Sequence, residues 1–281
     1  MKKIICFVLT AIMLVSLTAC SGGSGGSTVF SGFTEKRFTA NISQSDIDYV
    51  LTSQDSMNSL CESAPQQSQN GADCTYDMVL LIAEGVGVSP TEISLIKSKK
   101  SSSSSLASSA VQEQVNSLYR TVELLLLIAE ELDEKGNHNF TLSNIESTFS
   151  SQDSLCESAP QQVVNGLYRS LEVLEVIADI VDTKNNYTVD IENIMSTYSV
   201  MNSSSKSAPQ QAVNGSYRCV EMTLLIAEIL DKDKEFTAEI FKVENTLDSQ
   251  NNYCESAPQQ NANGSYRMTE AFGVMAEVLS H

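Results

Sequence analysis

The chain is poor in the residues that most often carry chemistry. Only two of its 281 residues are histidine, His138 and His281, and no Cys-x-x-Cys pair occurs, so a metal centre built from imidazole and thiolate finds no ligand set. Two isolated histidines also give no Ser/His/Asp or Cys/His arrangement. No glycine-rich phosphate loop is present, so neither nucleophilic nor phosphoryl-transfer catalysis is expected. Positive charge is scarce: 17 Lys and Arg face 35 Asp and Glu, a net charge of −18, which argues against a nucleic-acid partner. Asp133, Asp182 and Asp231 each open a polar loop and invite comparison with a calcium loop. That pattern fails, because Tyr187 or Phe236 occupies the sixth position where glycine is needed and Asn193 or Lys242 the twelfth where glutamate is needed. No enzyme activity, cofactor or metal is expected.

Long apolar runs are absent except at the start, where Lys2 and Lys3 precede the stretch from Ile4 to Leu17. This stretch is short for a membrane span of about 20 residues and has the layout of a secretory signal. The junction Leu17-Thr18-Ala19-Cys20 resembles the lipobox of bacterial lipoproteins. The resemblance implies cleavage before Cys20 and lipidation of that cysteine, hence a membrane partner through an N-terminal lipid and a place in the bacterial cell envelope. Ser21 after the cysteine resembles lipoproteins sent to an outer membrane; the sequence leaves open whether the body faces the periplasm or the outside. Residues 1–19 are then signal peptide, 20–37 the lipidated cysteine with a Gly/Ser tether, and 38–281 the folded body. Loss of Lys2 and Lys3 leaves 15 basic and 35 acidic residues, a net charge of −20.

Within the body one motif returns: Ser-Ala-Pro-Gln-Gln-x-x-Asn-Gly-x-Tyr-Arg-x-x-Glu begins at Ser158, Ser207 and Ser256, with weaker copies at Ser63 and Ser109. Pro160, Pro209 and Pro258 are spaced by 49 residues, a period of stacked supersecondary units. Each motif serine is expected to be a helix N-cap, with Gln66, Gln112, Gln161, Gln210 or Gln259 three residues on completing a capping box and proline in the first turn. Long helices follow at about 63–86, 109–134, 158–182, 207–231 and 256–280, with faces such as Met222, Leu225, Ile226, Ile229 and Leu230 turned inward.

Shorter partner helices are expected to start at a threonine N-cap after an aromatic staple, at Phe38-Thr39, Phe140-Thr141, Tyr187-Thr188 and Phe236-Thr237. The second partner departs from this: Val88-Ser89-Pro90 replaces the signal, and the helix from Thr91 is expected to dissolve at Lys99-Lys100 into a flexible loop over Ser101–Ser105. The result is an all-α array of about five helical hairpins, near 38–87, 88–135, 140–182, 187–231 and 236–280. It resembles α-solenoids such as HEAT and tetratricopeptide arrays in general layout, although neither motif is present and the period is longer. A compact or closed bundle stays open as well, since the period does not set the angle between units.

The motif lays a polar stripe along each long helix: Asn116, Tyr119, Arg120, Glu123; Asn165, Tyr168, Arg169, Glu172; Asn214, Tyr217, Arg218, Glu221; and Asn263, Tyr266, Arg267, Glu270. Four of the five arginines share one motif position, where the planar guanidinium suits the glutamate three residues on or an acid of the adjacent repeat. The stripe is either a ladder that fixes stacking register or a row of binding sites for a protein or extended polymer. In the first copy Asp73 and Cys74 replace Tyr-Arg, which suggests an end repeat without a neighbour. Five cysteines remain in the body, Cys61, Cys74, Cys156, Cys219 and Cys254; their spacing suggests no obvious bridge, so small buried thiols are expected, with disulfides the alternative that an oxidising envelope permits. The function expected is a lipid-anchored, non-catalytic binding or scaffolding module, with a purely structural spacer as the alternative.

Overall fold

The computed structural model describes residues 38–281, and these belong to one compact unit. The leader, Cys20 and the tether lie outside the described residues. Ten helices and no strands occur among the described residues, alternating short and long: α1 Gln44–Asn58, α2 Ala64–Val86, α3 Pro90–Ser104, α4 Ala110–Leu132, α5 Asn139–Asp153, α6 Ala159–Val181, α7 Thr188–Ser204, α8 Ala208–Leu230, α9 Thr237–Asn251 and α10 Ala257–Ser280. The long helices follow one another in space as α2, α4, α6, α8, α10, and α10 packs back on α2. The array is therefore a closed ring rather than an open solenoid. Each short helix lies outside, in the groove between two successive long helices. Met78, Ile82, Leu124, Leu125, Ile128, Leu174, Ile177 and Phe272 are all under 2 % exposed or nearly so and belong to one contiguous core.

The capping serines stand where the sequence places them, with extended backbone at Ser63, Ser109, Ser158, Ser207 and Ser256. The capping box is modified. Each motif glutamine reaches one residue further than expected, its Oε1 accepting the N–H of Glu62, Ser108, Glu157, Lys206 or Glu255 at 2.7–2.8 Å. Only Ser109 accepts a backbone N–H with its hydroxyl, from Gln112; Ser63, Ser158 and Ser256 instead donate to the glutamine.

The partner helices correct two expectations. Their threonines are not N-caps: α7 and α9 begin at Thr188 and Thr237 with Tyr187 and Phe236 in the cap position, and α5 begins at Asn139 after His138. The capping acceptor is the buried aspartate that ends the preceding long helix. Asp182 accepts the N–H groups of Asn186 (3.0 Å) and Tyr187 (2.7 Å), Asp231 those of Glu235 and Phe236 (both 2.9 Å), and Asp133 that of His138 (2.6 Å). Burial alone would raise the Asp133 carboxyl. The N–H groups of His138 and Asn137 and the imidazole outweigh it and hold the group below its ordinary value. At α1 the displacement is larger: residues 38–43 form an extended strap, Ala40 N–H bonding Leu279 O (2.7 Å) and Asn41 N–H bonding Gly85 O (2.9 Å), before Ser43 caps the helix. The strap joins the ends of α10 and α2.

In these loops the third residue after the aspartate is left-handed: Gly136 (φ 65°), Asn185 (54°) and Lys234 (57°). Glycine and asparagine tolerate that region, whereas a lysine there costs on the order of 1 kcal/mol. Lys234→Gly is expected to raise stability by about 1 kcal/mol, or a few degrees in Tm; an unchanged or lower Tm in a thermal melt would refute this.

The expected loop over Ser101–Ser105 is helix as far as Ser104, with Ser105 as its C-cap. Its lysines are held from both sides: Lys97 pairs with Glu84 of α2 (2.7 Å), Lys99 with Glu123 of α4 (3.0 Å), and Lys100 with both Asp73 (2.9 Å) and Glu113 (2.6 Å). Ile93 and Ile96 are buried beneath them. Tertiary contacts have overridden the weak propensity of a serine run.

Candidate functional site

Each member of the motif stripe has a definite neighbour, and none of the sixteen side chains is fully exposed. The asparagine always donates to a backbone carbonyl sixteen residues earlier, in the short helix of its own hairpin: Asn116 to Lys100 O (2.9 Å), Asn165 to Phe149 O (3.4 Å), Asn214 to Tyr198 O (2.9 Å) and Asn263 to Leu247 O (3.1 Å). Asn70 of the first copy does the same to Gln54 O. The tyrosines reach forward to the next hairpin. Tyr119 donates to Asp153, Tyr217 to Asn251 (2.7 Å), and Tyr266 to Asp55 in the first hairpin. Tyr168 differs, stacking on Tyr198 with centroids 4.9 Å apart.

Every motif arginine pairs within its own helix. Arg120 grips both oxygens of Glu123 (2.9 and 2.8 Å), and Arg169, Arg218 and Arg267 pair with Glu172, Glu221 and Glu270. Arg169 and Arg267 also lie over Tyr168 and Tyr266, at 4.4 and 4.3 Å from the ring centroid. Burial nevertheless raises the carboxyls of Glu172, Glu221 and Glu270 despite the arginine beside each.

Asp73 corrects the reading of the first copy as an end repeat. It pairs with Lys100 of α3 and accepts from Ser117 of α4, and α2 has α10 on its other side. A ring has no end, and this copy exchanges one inter-repeat contact for another. The five body cysteines are all free thiols; Cys74 and Cys219 are buried, and Cys61, Cys156 and Cys254 are half-buried. Each of these last three places its sulfur 3.3–3.4 Å from the carbonyl four residues before it, and burial raises all five thiols above their ordinary value.

The stripe holds helices together and also borders open concavities: Asn263, Tyr266 and Arg267 line one of about 420 Å³ with Gln250 and Tyr253, and Glu221 and Glu123 border two others. One runs along α8 between α7 and α9 and encloses about 510 Å³. Leu224, Leu225, Ile194 and Ile240 line it together with Asp190, Glu221, Glu228, Glu244 and Asp248. A related groove of about 290 Å³ lies over α4 between α3 and α5, where Leu126, Leu127 and Leu142 sit among Glu92, Glu123, Glu130 and Glu146, with Lys99 at one side. Sequence reasoning located Glu221 and Glu123 by their repeat but missed the carboxylates of the short helices, Asp190, Glu244, Asp248, Glu92 and Glu146, which border the same apolar troughs. The fourth concavity, at the axial end of the ring, is formed by the first turns of all five long helices, with Pro65, Pro160, Pro209 and Pro258 at its rim and Val111 in the fifth place.

The acidic faces carry strain of like charges. On α6, Glu172, Glu175 and Asp179 follow one another, and burial, then Asp179, then Glu172 push the Glu175 carboxyl up to about 7. A carboxyl raised in the folded state binds its proton more tightly there than in the unfolded chain, so it favours folding at low pH and loses that contribution as pH rises from 4.5 to about 7. Glu175→Gln is expected to raise Tm by a few degrees at pH 8 and to leave it nearly unchanged at pH 4.5; equal shifts at both pH values would refute the assignment. No family model, no curated protein and no solved structure matches the chain.

Proposed function

We propose that this chain is a lipid-anchored protein of the bacterial cell envelope, in the outer membrane where a cell has two, acting as a non-catalytic binding or scaffolding module. The groove along α8 carries this reading: an apolar floor bounded by five carboxylates suits a cationic, amphipathic segment of a partner protein. A related groove lies over α4, so a single body offers two related docking positions. The closed ring also favours a binding body over a spacer. Helices of 23 residues are about 35 Å long, and closure confines the five hairpins to a short barrel, whereas an open superhelix would extend with every repeat.

The test of the groove is titration of a labelled amphipathic Leu/Lys helical peptide against the protein, with a Leu/Glu peptide as control. Saturable, salt-sensitive binding of the first alone is expected, weakened at least tenfold by Glu228→Lys with Glu244→Lys while the melt stays unchanged. Equal binding of both peptides, or indifference to the double substitution, would refute the groove as the docking site. The anchor is tested separately, by labelled-palmitate incorporation that Cys20→Ala abolishes. Protease shaving of intact cells then decides between a surface and a periplasmic body.

A further inference from the structure

The hairpins serve as internal controls for one another, and the joint between the last and the first departs from the pattern. In the third hairpin Gln162 donates to Asp153 (2.9 Å), and in the fifth Gln260 donates to Asn251 (3.0 Å). The tyrosine of the preceding long helix closes each pair, Tyr119 on Asp153 and Tyr217 on Asn251 (2.7 Å). By the same register Gln67 should donate to Asn58, with Tyr266 closing the pair across the seam. Neither bond is made. Tyr266 turns to Asp55, and the side-chain amides of Asn58 and Gln67 hold no hydrogen bond among the described residues. The fourth hairpin also leaves its asparagine, Asn202, without a partner for Oδ1, but there Tyr168 stacks on Tyr198. At the seam the opened joint is the concavity of about 420 Å³, which Gln250, Gln259 and Tyr253 line together with Asn58 and Gln67. Its one charged lining residue, Arg267, is already paired with Glu270. The aromatic ring is peculiar to this joint: at the place of Tyr253, three residues before the motif serine, the other hairpins carry Leu60, Leu106, Leu155 and Ser204.

We propose that the seam concavity binds a neutral saccharide. A sugar hydroxyl both donates and accepts, and a carboxamide offers the same two functions, so the uncommitted amides of Asn58, Gln67 and Gln250 suit pairs of neighbouring hydroxyls. Gln259 spends its Oε1 on the Glu255 N–H and keeps its Nε2 as a further donor. Tyr253 is 79 % exposed and supplies a flat apolar surface for the C–H face of a pyranose ring, with a hydroxyl at its edge. Charged ligands suit the wall less. An anion meets no unpaired cation there and approaches a strongly acidic body, and a cation meets no lining carboxylate. The volume falls within the range of small-molecule sites, about 300–1,000 Å³. This site is separate from the acidic grooves and does not rest on the peptide assigned to them.

Titration of the isotope-labelled protein with cellobiose, lactose, maltose and diacetylchitobiose, which differ in linkage and in hydroxyl stereochemistry, tests the proposal through backbone amide shifts. Digalacturonate and diglucosamine are the charged comparators. Saturable shifts around Asn58, Gln67 and Tyr253 are expected for at least one neutral disaccharide, with a Kd in the millimolar range, and binding about tenfold weaker or less for the charged pair. Tyr253→Ala and Gln67→Leu should each weaken that binding about tenfold with the melt unchanged, since neither side chain is hydrogen-bonded to another element. Gln162→Leu breaks the equivalent closed pair in the third hairpin and should lower Tm by a few degrees while leaving the affinity alone. The tetrasaccharide of the best binder separates the sources: about tenfold tighter binding marks a longer glycan and equal affinity a free sugar, and both support the site. No saturation by any of the neutral disaccharides up to about 100 mM, equal affinity for the charged ones, or parent affinity in folded Tyr253→Ala and Gln67→Leu would each overturn it.

Discussion

Deleting the last hairpin, residues 232–281, is expected to abolish cooperative folding of the remaining four. In an open array the loss of a terminal unit removes one interface, and the rest stays folded with reduced stability. In the ring it removes two, because α10 packs on both α8 and α2. The seam between α10 and the first hairpin is also the most densely stitched: Thr269 Oγ1 accepts from Gln54 (2.8 Å), lies 3.0 Å from Thr75 Oγ1 and donates to Gly71 O (3.1 Å), Gln44 donates to Glu277 (2.8 Å), and Asn261 to Ser68. Met78 and Ile82 of α2, both 0 % exposed, would lose cover. At about 1.5–3 kcal/mol for each large apolar side chain, these two losses together with the severed seam hydrogen bonds reach the lower end of the stability of a typical domain, about 5–15 kcal/mol. A circular permutant tests closure from the other side. Joining His281 to Phe38 by a short linker and opening the chain at Gly87 keeps every helix contact, since Ala40 already bonds Leu279, and should melt as the parent does. A deletion variant that melts cooperatively within a few degrees of the parent would show that the hairpins behave as an open array.

The difference between array and ring was not legible in the repeat itself. Period, N-caps and inward faces are local properties, and the long helices lie within two residues of where the Ser-Ala-Pro-Gln signals and the apolar spacing put them. The angle between units depends on contacts between residues that are far apart in sequence, such as Tyr266 with Asp55. The clue available was that the terminal copies carry no polar outer face: α2 and α10 keep the apolar pattern of the interior helices, whereas an open array needs caps. The short helices were less legible for a similar reason. The start of α5, α7 and α9 is dictated by a buried aspartate four or five residues upstream, and the stability of α3 by acids on α2 and α4, so neither shows in a local reading of threonine or serine. The stripe was visible as a pattern, while the division of labour within it required coordinates. Asparagine ties a hairpin together, tyrosine links successive hairpins, and arginine neutralises its own helix.

Gly71→Val is expected to be the most damaging single substitution along the motif, costing about 3 kcal/mol or more. The motif glycine is where successive long helices approach most closely: a Cβ at Gly166 would come within 3.1 Å of Leu118 Cβ, and one at Gly215 within 3.0 Å of Leu167 Cβ. Those contacts lie at 3.0 Å or more, so the neighbour must give by only a few tenths of an ångström, and at Gly264 the Cβ would meet the side chain of Ser216, first its Oγ and then its Cβ at 2.9 Å. At Gly71 the obstacle is main chain, the Ser265 carbonyl carbon at 2.8 Å and its oxygen at 3.0 Å. Yielding there means moving α10 away from α2, which loosens the seam hydrogen bonds along with the packing. Overpacking of this kind typically costs about 1–3 kcal/mol per site, and valine adds a branched side chain to the single carbon of alanine. The helix-propensity gain on losing a glycine returns less than about 1 kcal/mol. For a domain of this size the net should lower Tm by about 6–12 °C. Gly273→Ala supplies the opposite sign on the same seam. Its Cβ would meet Met78 Cε at 3.5 Å and Leu51 at 3.6 Å, ordinary contact with flexible groups, so the propensity term prevails and stability should rise by about 0.5–1 kcal/mol. Equal effects at the two positions in a thermal melt would mean that the helices are not held at these distances and that closure does not rest on the glycine at Gly71.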